Sequence, residues 1–359
     1  MKFIYSHARL PENPKLLQDI DSAAQRLFKK VHRIDIDSLD VSDYTKHYLR
    51  NLLGKIQNML QKYSYVLSWS AASSISREEF TLVEYGGGSG LLSLLAKELS
   101  IGTVIYNDIY PISCRDAKTI GDAMENQADH YVQGDIDDVI TFLETHSLSC
   151  DAVASYDVIE HVYDIEGFFR RIPALSDGSL TVVMSSGANG LNPLIKKHIM
   201  KKHREVEYKD QEKKWGHKER DCLRAYFKVR KEIILAYETL TEKEGEQLAR
   251  ATRGMLKPDI EKCVDVYVQT GYIPQELAHP TNTCDPLTGN WAEHLMDPYC
   301  LRDILLQAGF KAEVLNGYHG HYKNSAKTLL GKMLNVAISL TGRQGIRMAP
   351  FFTIYGRRE

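Results

Sequence analysis

Little in this 359-residue sequence is extreme, and what is missing narrows its chemistry. The cysteines, at 114, 150, 222, 263, 284 and 300, form no C-x-x-C pair and several lie in apolar contexts, so a reduced, cytoplasmic protein is expected. No uninterrupted apolar run is long enough to span a bilayer, and Met1 to Leu10 carries charges without the apolar stretch of a secretory leader. Charge of either sign is not in excess: 45 Lys and Arg stand against 47 Asp and Glu, a net −2. Such a balance offers no global attraction for DNA and weighs against RNA. Repeats and low-complexity segments are absent. The length exceeds one doubly wound unit and leaves room for a further small domain or a large insertion.

What is there is concentrated in Val83-Glu84-Tyr85-Gly86-Gly87-Gly88-Ser89-Gly90. The preceding Phe80-Thr81-Leu82-Val83 is apolar like a buried parallel strand, and the following Leu91 to Leu99 reads as a helix. Glycines give the turn its positive φ and let backbone approach a ligand with no Cβ between them. A dinucleotide fingerprint, G-x-G-x-x-G, would put a glycine or alanine where Leu91 stands, which argues against NAD. Glu84 ends the apolar strand, where a carboxylate is costly to bury without a partner. An acid there suits S-adenosylmethionine (SAM), which presents an ammonium and a sulfonium. On these residues the chain resembles the class I SAM-dependent methyltransferases, whose first motif is acid-hydrophobe-G-x-G-x-G.

Later segments extend the resemblance. Thr103 to Asn107 reads as a second strand ending in Asp108, at the distance from the glycines where an acid meets a ribose diol, although a dehydrogenase would place an acid there too. His130 to Gln133 reads as a third strand entering Gly134-Asp135-Ile136. The resemblance implies that Asp135 accepts from the adenine amino group with Ile136 as packing surface; the residues alone fit an ordinary Gly-Asp turn equally well. Glu84, Gly86, Gly88, Gly90, Asp108, Asp135 and Ile136 are therefore the expected cofactor contacts.

Cys150 to Ser155 reads as a fourth strand, followed by Asp157-Val158-Ile159-Glu160-His161. This is similar to the Glu-x-x-Glu-His of ubiquinone-type O-methyltransferases and of small-RNA 3′-end methyltransferases, with Asp in first place. On a helix, the i, i+3 and i+4 positions would face one side. In one reading Asp157, Glu160 and His161 hold a divalent ion such as Mg2+ that acidifies a substrate hydroxyl, the completing ligand being open among His198, His203, His217, His279 and His294. In another, His161 is the general base and Glu160 orients it. In a third, His161 only fixes the loop.

Around this frame, residues 1–78 read as an N-terminal helical cap, with apolar residues at helical spacing through Leu16 to Phe28 and Tyr48 to Tyr63. The aromatic stretch Tyr63 to Ser70 reads as plain core or as a closure over the active site, and receives no role. After a fifth strand, Ser179 to Ser185, residues 191–294 read as a helical insertion or substrate lid between core segments 79–190 and 295–359. Its first part is rich in Lys196, Lys197, Lys201, Lys202, Lys213, Lys214, His217, Lys218 and Arg220, read as a solvated face or as a lid for an anionic substrate. In the loop 279–294, Trp291, Glu293 and His294 are candidate substrate contacts or plain connection. Lys327 to Leu340 is an apolar helix with basic residues, for which core packing is the simpler account than a partner subunit or a membrane carrying a lipid-linked substrate.

The resemblance implies an α/β fold, a doubly wound, seven-stranded, mostly parallel sheet with helices on both faces. It further implies a SAM-dependent methyltransferase acting on a hydroxyl, less readily an amine or carboxylate, of a small-molecule or saccharide-type metabolite. A small-RNA methyltransferase, an NAD-dependent oxidoreductase and a catalytically idle SAM-binding module are the rivals.

Overall fold

The computed structural model describes residues 1–5, 8–74, 76–212, 222–278, 281–322 and 325–359. Lys213, Lys214, His217, Lys218, Arg220 and His279, named above for the lid and the metal, lie outside the described residues.

Among the described residues three α-helices precede the sheet: α1 (Pro14–Val31), α2 (Asp43–Leu53) and α3 (Ile56–Ser70). Asn13 starts α1 by accepting from the Leu16 N–H at 3.1 Å, and Ser42 starts α2 by accepting from that of Thr45 at 3.2 Å. The α1 stripe Leu16, Ile20, Ala23, Ala24 and Leu27 is buried.

The core alternates strand and helix: β1 (Thr81–Glu84), α4 (Leu91–Glu98), β2 (Thr103–Asp108), α5 (Pro111–Ala123), β3 (His130–Gln133), α6 (Ile136–Thr145), β4 (Ala152–Tyr156), α7 (Ile165–Arg171) and β5 (Leu180–Ser186). Successive side chains of a strand face opposite ways. Leu82, Val104, Ala152 and Val183 therefore join one core with α1, α3 and α4, while Val83, Ile105, Val153 and Val182 join a second with α6 and α7. Burial on both faces explains why these strands read as continuous apolar runs.

Next come α8 (Pro193–Tyr208), α9 (Tyr226–Leu235), α10 (Glu242–Ala251) and α11 (Lys257–Thr270), then α12 (Pro298–Gln307), β6 (Lys311–Asn316), α13 (Ser325–Leu340) and β7 (Phe352–Arg358). Ile234, Leu248, Ala249, Ile260 and Val264 give α9–α11 a small core of their own. The sheet has seven strands in the order β3-β2-β1-β4-β5-β7-β6, and β7 is antiparallel to both β5 and β6. The order reverses between β1 and β4, which opens the crevice at the strand carboxyl ends where such sheets bind ligands. One sequence expectation is largely reversed: α13 buries Ile338 but leaves most of its apolar residues in solvent, Leu329, Met333 and Leu340 being 63, 64 and 80% exposed.

Candidate active site

The glycine loop leaves β1 with φ of +69° at Gly86, +55° at Gly88 and +74° at Gly90. A Cβ on Gly86 would collide with Val158, whereas one on Gly88 would meet nothing within 4 Å, so the crest of the loop borders open space. Glu84, 3% exposed, tucks under the loop, where its Oε2 accepts from the Ser93 N–H at 2.8 Å and from the Ser93 hydroxyl. Burial drives its carboxyl up to about 7, the Ser93 donors opposing and Asp108 adding to the rise.

Asp108 stands beside the loop. Its Oδ2 accepts from the Gly88 N–H at 3.0 Å and its Oδ1 from that of Tyr110 at 2.9 Å. Each oxygen keeps a further lone pair for a ligand hydroxyl. Gly134 N–H donates to the Asp108 carbonyl at 3.0 Å, which brings the β3 turn alongside. Asp135 there caps α6, accepting from the Asp137 N–H at 2.9 Å, and Ile136 is buried behind it. The described bonds of Asp135 are thus those of a helix cap.

Across the switch point, the Asp157–His161 segment is not the α-helix its spacing suggests. The Asp157 N–H donates to the Ser185 carbonyl at 2.9 Å, prolonging the sheet, and Asp157 then turns at φ +56°. Only Ile159–His161 form a short 3-10 turn. Asp157 Oδ1 accepts from the Gly187 N–H at 2.8 Å. Glu160 is 1% exposed, and neither of its carboxylate oxygens has a partner with hydrogen-bond geometry. Burial and then the Asp157 charge hold it well above the usual carboxylate range, and the neighbouring Ser186 hydroxyl offsets this only in part. His161 Nδ1 lies 2.8 Å from the Trp291 carbonyl. A carbonyl only accepts, so Nδ1 carries the proton and Nε2 keeps its lone pair.

The loop before α12 roofs this floor. His294 N–H donates to the Glu160 carbonyl at 3.0 Å, Trp291 Nε1 to the Tyr163 carbonyl at 3.2 Å, and Asn290 Nδ2 reaches the Tyr110 hydroxyl at 3.4 Å on the β2 side. Glu293, at φ +64°, comes down onto the floor. Donor atoms of Glu160, His161 and Glu293 lie within 4.8 Å of one another. Glu293 also accepts from Lys202 at 2.8 Å. Among the described residues the convergent set therefore contains Glu293 in the place expected for Asp157. Of the candidate histidines, His203 is buried between Thr281 and the Glu293 carbonyl, His294 stacks on Trp291 with centroids 4.3 Å apart, and His198 is exposed on α8.

Two contributions from the cap were not read from sequence. Lys62 of α3 lies 4.7 Å from the Tyr156 ring centroid; burial lowers its pKa while Asp157 and Glu160 raise it. Tyr48 of α2 is 37% exposed as a whole, but desolvation at its hydroxyl end pushes that group up to about 12, with Tyr44, Asp157 and Glu84 adding to it. Helical spacing gives no hint that α2 and α3 cover the cleft rather than only the sheet.

A family model described as a methyltransferase domain matches residues 83–182. No curated protein matches the sequence. Similar solved structures include a SAM-dependent methyltransferase from Archaeoglobus fulgidus, 13% identical over 87% of this chain and 99% of that one with a TM-score of 0.38. Another is from Mesorhizobium loti, 14% identical over 80% and 95%, TM-score 0.36. A methyltransferase from Haloferax volcanii, solved in complex with the Trm112 methyltransferase activator, is 20% identical over 37% of this chain, which spans only 57% of it, TM-score 0.29. The family match covers residues 83–182, and the strand order β3-β2-β1-β4-β5-β7-β6 gives the sheet that contains them the doubly wound, Rossmann-like arrangement.

Proposed function

We propose that this protein is a SAM-dependent methyltransferase of a hydroxyl on a small-molecule or saccharide-type acceptor, with a divalent cation at the acceptor side. The observation that carries the second half is Glu160: a buried carboxylate that the neighbouring Ser186 hydroxyl satisfies only in part, facing His161 and Glu293. A cation there would remove the cost of that burial. Glu160, His161 through Nε2, and Glu293 would hold it, Glu293 first yielding its contact with Lys202. Two carboxylates and one imidazole fit a divalent ion such as Mg2+, which would lower the pKa of a substrate hydroxyl.

SAM would supply the methyl group. The open crest of the glycine loop and the acceptor capacity left on Asp108 suit it, and Asp135 and Ile136 border the same edge. The chain's own residues then do the rest. Lys62 balances part of the negative charge on the floor, His161 is held in one tautomer by the Trp291 carbonyl, and the roof from Asn290 to His294 limits water. With Asp157, Glu160 and Glu293 against Lys62 and Lys202, the acids outnumber the cations and the floor favours a cation over an anionic acceptor group.

Calorimetric titration with S-adenosylhomocysteine, with and without Mg2+ or Mn2+, tests both halves. Binding is expected in the wild type and in Glu160→Gln, with a metal-dependent heat in the wild type alone. Absence of binding, with binding of reduced nicotinamide instead, would sink the cofactor assignment; binding with no metal heat would leave His161 as the base.

A further inference from the structure

The helix between β6 and β7 turns its apolar side away from the protein. Leu329, Met333, Val336 and Leu340 recur at i, i+4, i+7 and i+11, so they form one stripe, with Leu330 on its flank. All five are exposed, up to 80% at Leu340, while Gly331, Asn335 and Ile338 are buried on the opposite face. Contiguous exposed apolar surface of this kind marks a contact site.

Charge identifies the occupant. From Ser325 to Arg347 the sequence holds Lys327, Lys332, Arg343 and Arg347 and no Asp or Glu, in a chain whose net charge is −2. All four cations are exposed. The apolar stripe has the spacing of a coiled-coil seam, but a second copy of the helix would bring lysines to lysines with no acid to pair them. No helix among the described residues is long and apolar enough to cross a membrane. An apolar face edged by cations, too short to span, is the pattern of a helix lying in a lipid interface.

Its position gives the contact a use. Phe352 pairs with Asn316 on one side and Ser186 on the other, so the crossover carrying α13 leaves and re-enters at the carboxyl end of β5, the edge where the acceptor floor lies. Asn189 Nδ2 donates to the Ile346 carbonyl at 2.8 Å and Asn192 Nδ2 to that of Ala349 at 3.0 Å, pinning the start of α8 to this crossover. That start exposes Leu194 together with Lys196 and Lys197.

We infer that α13 docks the protein on an anionic lipid bilayer, with Leu329, Met333, Val336 and Leu340 in the interface and Lys327, Lys332, Arg343 and Arg347 on the headgroups. The contact needs no turnover, so it stands or falls apart from methyl transfer. Vesicles of phosphatidylcholine, with and without phosphatidylglycerol, are cosedimented with the full chain, with Leu329→Ser/Met333→Ser and with Lys327→Ala/Lys332→Ala, each variant first checked for an unchanged melting temperature. Wild type is expected on the anionic vesicles only, with partitioning that falls as salt rises. The apolar variant is expected to stay in the supernatant, and the lysine variant to bind about fivefold more weakly for each cation removed. No sedimentation with anionic vesicles would overturn the inference. So would a concentration-dependent dimer, seen by analytical ultracentrifugation, that Leu329→Ser/Met333→Ser disperses without any effect on lipid.

Discussion

Burial of Glu84 makes the glycine loop sensitive to pH in a definite direction. Its carboxyl is raised from 4.5 to about 7, so the folded chain holds the proton more tightly than the unfolded one. The stability this contributes is complete below pH 4.5 and is lost as pH rises through about 7, a linkage worth about 3 kcal/mol. Glu84→Gln should remove that slope, and a difference between wild type and variant that stays constant across this window in thermal unfolding would show that Glu84 does not titrate there. The neighbouring glycine is under a different constraint. Gly86→Ala meets both an unfavourable positive φ and the Val158 side chain, and should cost about 1–3 kcal/mol in urea unfolding. Val158→Ala in the same chain should return only the collision part, because the backbone cost remains. Residues such as these were legible in sequence because the physics is local: an acid at a strand tip and glycines in a tight turn. Glu293 and Lys62 were less so. Glu293 reaches Glu160 through a loop more than a hundred residues away, and the Trp291-Ala292-Glu293-His294 run signalled a substrate contact without showing that its carboxylate would join His161.

At the scale of elements, competition between hydrogen-bond partners decides what periodicity alone cannot. The Asp157-to-His161 spacing invites a helix, but the Asp157 amide is committed to the Ser185 carbonyl and helix formation is delayed by two residues. The strands β1, β2, β4 and β5 were readable as apolar runs because both faces are covered, while the apolar run of α13 looked like core for the same reason and is mostly exposed. The insertion adds a device with no sequence signature. Arg230 of α9, fully buried, pairs with Glu207 of α8 and donates to the Ala249 carbonyl at 3.1 Å, and Glu207 also accepts from the Thr283 hydroxyl at 2.7 Å. Arg230→Ala leaves Glu207 as an uncompensated buried charge and should destabilise by about 3–5 kcal/mol in denaturant titration. Arg230→Met with Glu207→Leu should recover most of it; equal losses in the single and double variants would mean that the pair is not coupled.

For the whole molecule, two bodies have separate cores: the sheet body, which takes in Ile199 of α8 and Leu295 and Met296 at the end of the roof, and α9–α11. Glu84, Gly86, Gly88 and Asp108 belong to the sheet, as do Glu160 and His161, whereas Glu293 arrives on the roof that is tied to α8 through Lys202 and His203. Cofactor and metal should therefore stabilise different regions. S-adenosylhomocysteine alone is expected to slow amide hydrogen exchange in the glycine loop and at residues 108–110, with little change in α9–α11, whose core of Ile234, Leu248, Ile260 and Val264 does not touch the cleft residues. A divalent ion should slow exchange at residues 159–162 and 290–294 together, because it would bridge Glu160 and His161 to Glu293 and clamp the roof onto the floor. In Glu293→Gln the response at residues 290–294 should vanish while that of the glycine loop to S-adenosylhomocysteine persists. Protection spreading evenly over both bodies with either ligand would mean that they unfold as one unit, and that the roof is fixed by Trp291, Asn290 and the Glu160 carbonyl without help from a metal.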